Sequence, residues 1–162
     1  MADDGYPKAL AARIGFLLAR AHLVAREKAD RALAEVGLSM KGFAALATLV
    51  SDGAISQQRL SQRIRMDPAT MVDVIDALER SGHIARRRNP KDRREYSLQP
   101  TPKGRALLTR AQRAIVAAER DTVRGLGPSE EKVLLELLGR IADPGRAERL
   151  ATDEVVTAAL GR

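Results

Sequence analysis

A chain of 162 residues is the length of one domain, or of one domain with terminal arms. Its residues are 44% hydrophobic but only 2% aromatic, so the core must be aliphatic and alanine-rich, which favours packed helices. With no cysteine, a disulfide framework, a thiolate zinc site and a cysteine redox sensor are excluded. The formal charge of +7 is concentrated: residues 80–94, RSGHIARRRNPKDRR, hold seven of the 28 basic residues and one of the 21 acids. That segment carries +6 and the remainder is nearly neutral. A charge gathered in this way marks an aimed surface, and phosphate is the commonest target for one; a merely solvated basic loop is the plainer alternative.

In chain order, Leu10, Ile14, Leu17, Leu18, Ala21 and Val24 recur at helical spacing within residues 8–36, and Gly37 supplies a stop. Ser39 is a good N-cap for a second helix, with Leu38 and Phe43 placed to form a hydrophobic staple. Its inward face is Phe43, Leu46, Ala47 and Val50, and Gly53 ends it. Ser56 caps a short third helix with Leu60 and Ile64 inward. The fourth helix has the strongest start signal, an Asp67 N-cap followed by Pro68 at the first helical position, where the missing N–H costs nothing. Met71, Val74, Ile75 and Leu78 form its apolar stripe, and Gly82 closes it. Two short helices joined at Arg65-Met66 make a helix-turn-helix, whose second helix would enter a major groove.

Ile84–Arg88 and residues 94–99 predict two strands joined by the turn-rich tip Asn89-Pro90-Lys91-Asp92. Ile84, Tyr96 and Leu98 would pack this ribbon onto the helices and leave the arginines outside. Thr101-Pro102 repeats the cap-then-proline signal and starts a long helix bearing Leu107, Leu108, Ala111, Ile115 and Ala118. A break at residues 125–128 precedes a last helix with Val133, Leu134, Leu137, Leu138 and Ile141, and residues 146–160 are weakly helical. The expected fold is mainly α with a small β-wing: a winged helix-turn-helix core flanked by long dimerisation helices. The divisions are an N-terminal dimerisation helix and arm (1–37), a DNA-binding domain (38–100), C-terminal dimerisation helices (101–142) and an extension (143–162). The apolar faces of the outer helices exceed what the compact middle can cover, so a second copy of the chain is the economical partner; a monomer with its helices folded back is the alternative.

Other classes find little support. His22 and His83 lie far apart without metal-ligand spacing. There is no Ser-His-Asp set, phosphate-cradling glycine loop or paired-acid constellation, so neither an enzyme, a metal nor a cofactor is expected. The start, MADDGYPKALAAR, opens with two acids and lacks the apolar segment of a secretory signal. The most apolar stretch, residues 43–50, is far shorter than the roughly 20 residues a membrane span needs. A cytoplasmic protein without a membrane partner is the expectation.

Over residues 8–141 the chain resembles the MarR family, the multiple-antibiotic-resistance-type regulators. The resemblance is carried by residues 60–104: Asp67-Pro-Ala-Thr-Met-Val, Leu78-Glu-Arg-Ser-Gly-His-Ile, and the wing Asn89-Pro-Lys-Asp-Arg-Arg leading to Thr101-Pro-Lys-Gly. The Asp-x-Arg of the wing, Asp92 and Arg94, is its most distinctive element. The resemblance implies a homodimer on a pseudo-palindromic double-stranded DNA operator, usually a repressor released by a small, often aromatic or phenolic, effector. Two features depart from the family pattern. Asp73 and Ala77 stand where many members carry bases, and Pro100 replaces an aliphatic residue at the end of the second wing strand.

The DNA-contact candidates on the fourth helix are Ala69, Thr70, Val72 and Asp73. A carboxylate can accept from a cytosine amino group and valine can touch a thymine methyl, although Asp73 pairing with Arg80 or a neighbouring arginine is an equal alternative. In the wing, Arg94 suits a narrow minor groove, with Asp92 holding it by a charge-assisted pair and Lys91 and Arg93 on phosphates. Arg86 and Arg88 are grouped with them. Gln57, Gln58 and Arg63 are backbone contacts or ordinary exposed residues. For the effector, Phe16, His22, Arg26, Phe43 and Leu46 lie where the resemblance places a pocket, though a lone His or Phe on an apolar helix is more often simple core. A winged-helix protein-interaction module, or a DNA binder without base readout, is the competing class.

Overall fold

The structure, a computed structural model, describes residues 7–88 and 96–143. In chain order the elements are α1 (Lys8–Ala11), α2 (Ile14–Glu35), α3 (Met40–Asp52), β1 (Ile55–Ser56), α4 (Gln57–Ile64), α5 (Pro68–Arg80), β2 (Ile84–Arg88), β3 (Tyr96–Pro100), α6 (Pro102–Thr122) and α7 (Pro128–Ala142). The strands form one antiparallel sheet in the order β1-β3-β2.

The predicted start signals are realised as hydrogen bonds. The Ser39 hydroxyl accepts from the Gly42 amide at 3.0 Å, and the Asp67 carboxylate accepts from the Thr70 amide at 2.8 Å. Ser56 does the same for the Arg59 amide at 3.3 Å. Each satisfies an amide that the first helical turn leaves without a partner. The Asp67 bond also holds that carboxyl below the usual carboxylate range, since the ionised form accepts the Thr70 N–H best.

These helices bury one continuous aliphatic core. Ala45, Leu46 and Leu49 of α3 pack with Leu60 of α4, Met71, Ile75 and Leu78 of α5, Ile84 and Leu98 of the sheet, and Leu107, Leu108 and Ala111 of α6. Leu33 of α2 and Leu38 complete it, while Phe43, Ala47, Val50, Ile64, Val74 and Ile115 are partly buried against it. Each fully buried large side chain contributes about 1.5–3 kcal/mol relative to exposure, and together they fix α4, α5 and the sheet on one scaffold.

Four expectations are corrected. The first helix is interrupted: Arg13 takes an extended conformation and its amide bonds back to the Leu10 carbonyl, closing a short first turn before α2. No proline or glycine marks that break. A third strand, β1, too short for a periodic signal, pairs Ile55 with Leu98 and Ser56 with Ser97. Tyr96 does not pack the ribbon down; it is 50% exposed and lies opposite Arg88, which is exposed as well. Not every arginine is outside either. Alternation along β2 puts Arg86 on the same face as buried Ile84, and it turns toward α5. The strand β3 continues through Pro100, which pairs with Ile84.

The compact unit ends at Thr122, and α7 belongs to a second. Within the first, much of the predicted stripe on α1 and α2 is uncovered: Leu10, Ile14, Leu17 and Val24 are exposed, as is Leu23. Within the second, Val133, Leu135, Leu137, Leu138 and Ile141 are exposed too. Among the described residues no single helix is long and apolar enough to cross a membrane. The expected helix over residues 146–160 lies outside the described residues.

Candidate nucleic-acid interface

Helices α4 and α5 are joined by a turn in which Arg65 adopts the left-handed conformation, φ 52°. The turn is fastened from inside: the Ser61 hydroxyl donates to the Met66 carbonyl, and the Met66 amide donates to the Ser61 carbonyl at 3.0 Å. Buried Leu60 on α4 and Met71 and Ile75 on α5 set the two helices on the core. That packing leaves Ala69, Val72, Asp73 and Ala77 exposed along α5, with Thr70 half-buried beside them. The exposed strip begins in the first helical turns, the part of a recognition helix that contacts base edges.

The α5 carboxylates have different environments. Arg86 Nη2 donates to Asp76 Oδ1 at 2.6 Å, and Arg86 Nη1 donates to Glu79 Oε2. The Asp76 hydrogen bond, together with the charge of Glu79, holds the guanidinium above its already high ordinary pKa against the opposing effect of burial. Asp73 makes no ion pair among the described residues, and neither does Arg80. Arg86 stands out in the sequence as one cation of the wing, whereas Asp76 and Glu79 do not stand out there as its partners. The available signal was the period-2 position of Arg86, two residues after buried Ile84, which turns a cation inward and calls for an acid.

The remaining candidates divide in a similar way. Gln57 is half-buried in the first turn of α4, Gln58 is exposed, and exposed Arg63 uses its Nε on Asp52 Oδ2 at 3.1 Å. Arg87 and Arg88 extend β2 as exposed cations. Lys91, Asp92, Arg93 and Arg94 lie outside the described residues, as does the predicted tip at residues 89–92.

The base of the wing is tied to α6. The Thr101 hydroxyl donates to the Gly82 carbonyl at 2.7 Å and accepts from the Gly104 amide at 3.1 Å, capping α6. The Thr101 amide donates to the His83 carbonyl at 3.0 Å, and Lys103 Nζ donates to the Ser81 carbonyl at 2.8 Å. The Thr-x-x-Gly pattern is thus a joint between the end of α5, the start of β2 and α6. Burial at this joint lowers the pKa of His83, and Lys103 and Arg110 lower it further by repulsion.

The five effector candidates differ in their environments. Phe16 is half-buried, His22 and Arg26 are exposed, and Arg26 faces Asp30 at 3.6 Å. Phe43 packs partly against the core and Leu46 is wholly inside it. An open cleft of about 220 Å³ between α2 and α6 is lined instead by Lys28, Arg31, Glu35, Asp121 and alanines.

A capped helix-turn-helix with an exposed second helix and an adjoining strand pair, of which β2 carries three arginines, defines a winged-helix DNA-binding protein. Residues 38–96 match the family model described as the MarR family. The chain is similar to the HTH-type transcriptional repressor Rv2887 of Mycobacterium tuberculosis, with 32% identity over 142 residues covering 86% of this chain and 97% of that one. Its structure is similar to that of the transcriptional repressor CouR bound to a 23-mer DNA duplex, with TM-score 0.71, 32% identity and coverage of 83% and 96%. It is also similar to CouR from Rhodococcus jostii RHA1 bound to p-coumaroyl-CoA, with TM-score 0.67, 27% identity and coverage of 85% and 97%. The chain belongs to the MarR family of winged-helix, DNA-binding transcriptional regulators, which are not enzymes.

Proposed function

We propose that this chain is a homodimeric repressor that binds a pseudo-palindromic operator in the cytoplasm and releases it when a small aromatic effector binds. The observation that carries the reading is the uncovered strip of α5, Ala69, Val72, Asp73 and Ala77, standing on a buried scaffold beside the arginines of β2. In this reading residues 38–100 hold the DNA, with Thr70, Val72 and Asp73 at base edges and Gln57, Gln58 and Arg63 near the backbone. Arg94 enters the minor groove, braced by Asp92, with Arg88, Lys91 and Arg93 on phosphates.

Dimerisation is supported by the exposed apolar residues of α1 and α2, and separately by those of α7. Apolar surface repeated at helical spacing over several turns is what a helical interface requires. Residues 1–37 and 101–142 therefore make the interface, with residues 143–162 as an extension.

Effector release is supported by the similarity to CouR, whose structure is bound to p-coumaroyl-CoA. Phe16, His22, Arg26 and Phe43 are the side chains proposed to meet the ligand in the dimer, with Leu46 as the core wall behind them. The test is a panel of hydroxylated aromatic acids and their coenzyme A thioesters, scored by release of selected DNA and by melting temperature. An effector should raise the melting temperature of the free protein, since it binds only the folded state, and should weaken DNA binding. A panel that moves neither quantity would leave a constitutive regulator.

A second reading, DNA binding without base readout, is favoured by the absence of a cation from the exposed strip of α5. Selection of binding sites from random duplexes separates the two, because only the first enriches a two-fold sequence.

A further inference from the structure

The wing and α5 are separated in sequence only by Ser81, Gly82 and His83, with Gly82 in the left-handed region at φ 70°. A short connection with a glycine at its centre does not by itself fix the angle between a strand and a helix. Arg86 reaches back across that turn. Its two terminal nitrogens hold different carboxylates, Asp76 and Glu79, which share one face of α5 three residues apart. Rotating β2 about Gly82 would break at least one of the two bonds. The Arg86 side chain is only 30% exposed, and its partners 44% and 36%, so the cluster is shielded enough for its geometry to matter.

Electrostatics points the same way. Helix α5 carries Asp73, Asp76 and Glu79 against a single base, Arg80. Without Arg86, three carboxylates would stand close to DNA phosphates. With it, two are paired to one guanidinium that cancels one of their two charges, and Asp73 alone is left unpaired to act on a base. Moving Arg86 to a phosphate would strand two partly buried carboxylates without their cation, which is costly.

We infer that Arg86 is a positioning residue: it locks the wing against α5 through Asp76 and Glu79 and does not itself bind DNA. The inference rests on the reading of α5 and the wing as the DNA-contact surfaces. A forked guanidinium presents two nitrogens at a fixed separation, one to each carboxylate, whereas the three donors of lysine converge on a single nitrogen and cannot hold that spacing.

The experiment compares the wild type, Arg86→Lys, Arg86→Gln and the double variant Asp76→Asn/Glu79→Gln. It reads amide hydrogen exchange in the free protein and affinity for the selected duplex against salt. Arg86→Lys and Arg86→Gln should both speed exchange in β2 and β3 while α3 stays protected. Both should weaken binding by roughly tenfold, the scale of coupling within one ion-pair network. The double variant should also loosen the wing and weaken binding, although it removes two negative charges. The inference is overturned if Arg86→Lys matches the wild type, if the double variant binds DNA more tightly with no change in exchange, or if Arg86→Gln only flattens the salt dependence by about 0.9 per wing. Should the wild type show no sequence preference, the proposed readout fails, while the exchange comparison still decides the role of Arg86.

Discussion

Gly104 and the carbonyl of His83 meet so closely that a Cβ on Gly104 would lie 2.0 Å from the His83 oxygen. The first turn of α6 is thereby pressed against the start of the wing. Gly104→Ala must move backbone on one side or the other, and the expected loss is about 1–3 kcal/mol, the range for overpacking a fixed site. Chemical denaturation of the variant checks this. The loss should come with weaker DNA binding, because the displaced segment leads directly into β2; a variant as stable as the wild type would mean that the joint is not rigid.

Thr101 joins α6 to the end of α5 and the start of β2 by hydrogen bonds rather than by contact. Thr101→Val keeps the shape and removes both the hydroxyl donated to Gly82 and the acceptor for the Gly104 amide. A lost helix cap typically costs about 0.5–2 kcal/mol, and thermal unfolding should place the variant in that range. Thr101→Ser should retain most of the wild-type stability.

His83 gives the joint a pH dependence of definite sign. Burial, then repulsion by Lys103 and Arg110, lowers its pKa in the folded chain. The unfolded chain therefore takes up a proton first as pH falls through about 6.5, and it binds more protons than the folded chain between the two pKa values. Stability contributed by neutral His83 is fully present above the unfolded pKa and is lost as pH falls through the folded one. Urea unfolding between about pH 8 and pH 5 should show the decline, and His83→Gln should flatten the part of it that sets in below about pH 6.5.

The apolar faces of α2 and α7 supply a test of assembly. Leu17 and Leu137 are 51% and 46% exposed, so glutamate at both would cost an isolated chain little. Light scattering at micromolar concentration should give twice the chain mass for the wild type. The mass of Leu17→Glu/Leu137→Glu should be that of one chain, with helix content kept and affinity for a two-fold site lost. A wild-type monomer that binds such a site tightly would refute the dimer.

What was legible in the sequence was local. The caps at Ser39, Ser56 and Asp67 and the stripe Met71, Ile75 and Leu78 each depend on neighbours a few residues away, and each is realised. What was missed depends on distant partners. The two-residue strand β1 exists only because Leu98 and Ser97 lie across from it. Charge pattern alone does not show that Asp76 and Glu79, ten and seven residues before Arg86, close around it. The chemistry of Tyr96 points to packing, whereas its position at the outer end of β3 leaves it exposed. An apolar stripe does not tell a core wall from a pocket wall, and only the structure separates fully buried Leu46 from partly buried Phe43.

The division of labour between α5 and the wing is tested most directly by selecting sites from random duplexes with the wild type, Asp73→Ala and Arg94→Ala, then titrating each selected duplex with salt. Asp73 makes no ion pair among the described residues, so its loss should relax preference at one base pair of each half-site. The expected loss of discrimination is about 1–3 kcal/mol, with non-specific affinity unchanged or slightly raised. Arg94→Ala should keep the selected sequence, weaken binding strongly and flatten the dependence of log affinity on log salt by about 0.9 for each wing, roughly twice that for a dimer. An unchanged operator with Asp73→Ala, together with an unchanged affinity and salt slope with Arg94→Ala, would contradict the account.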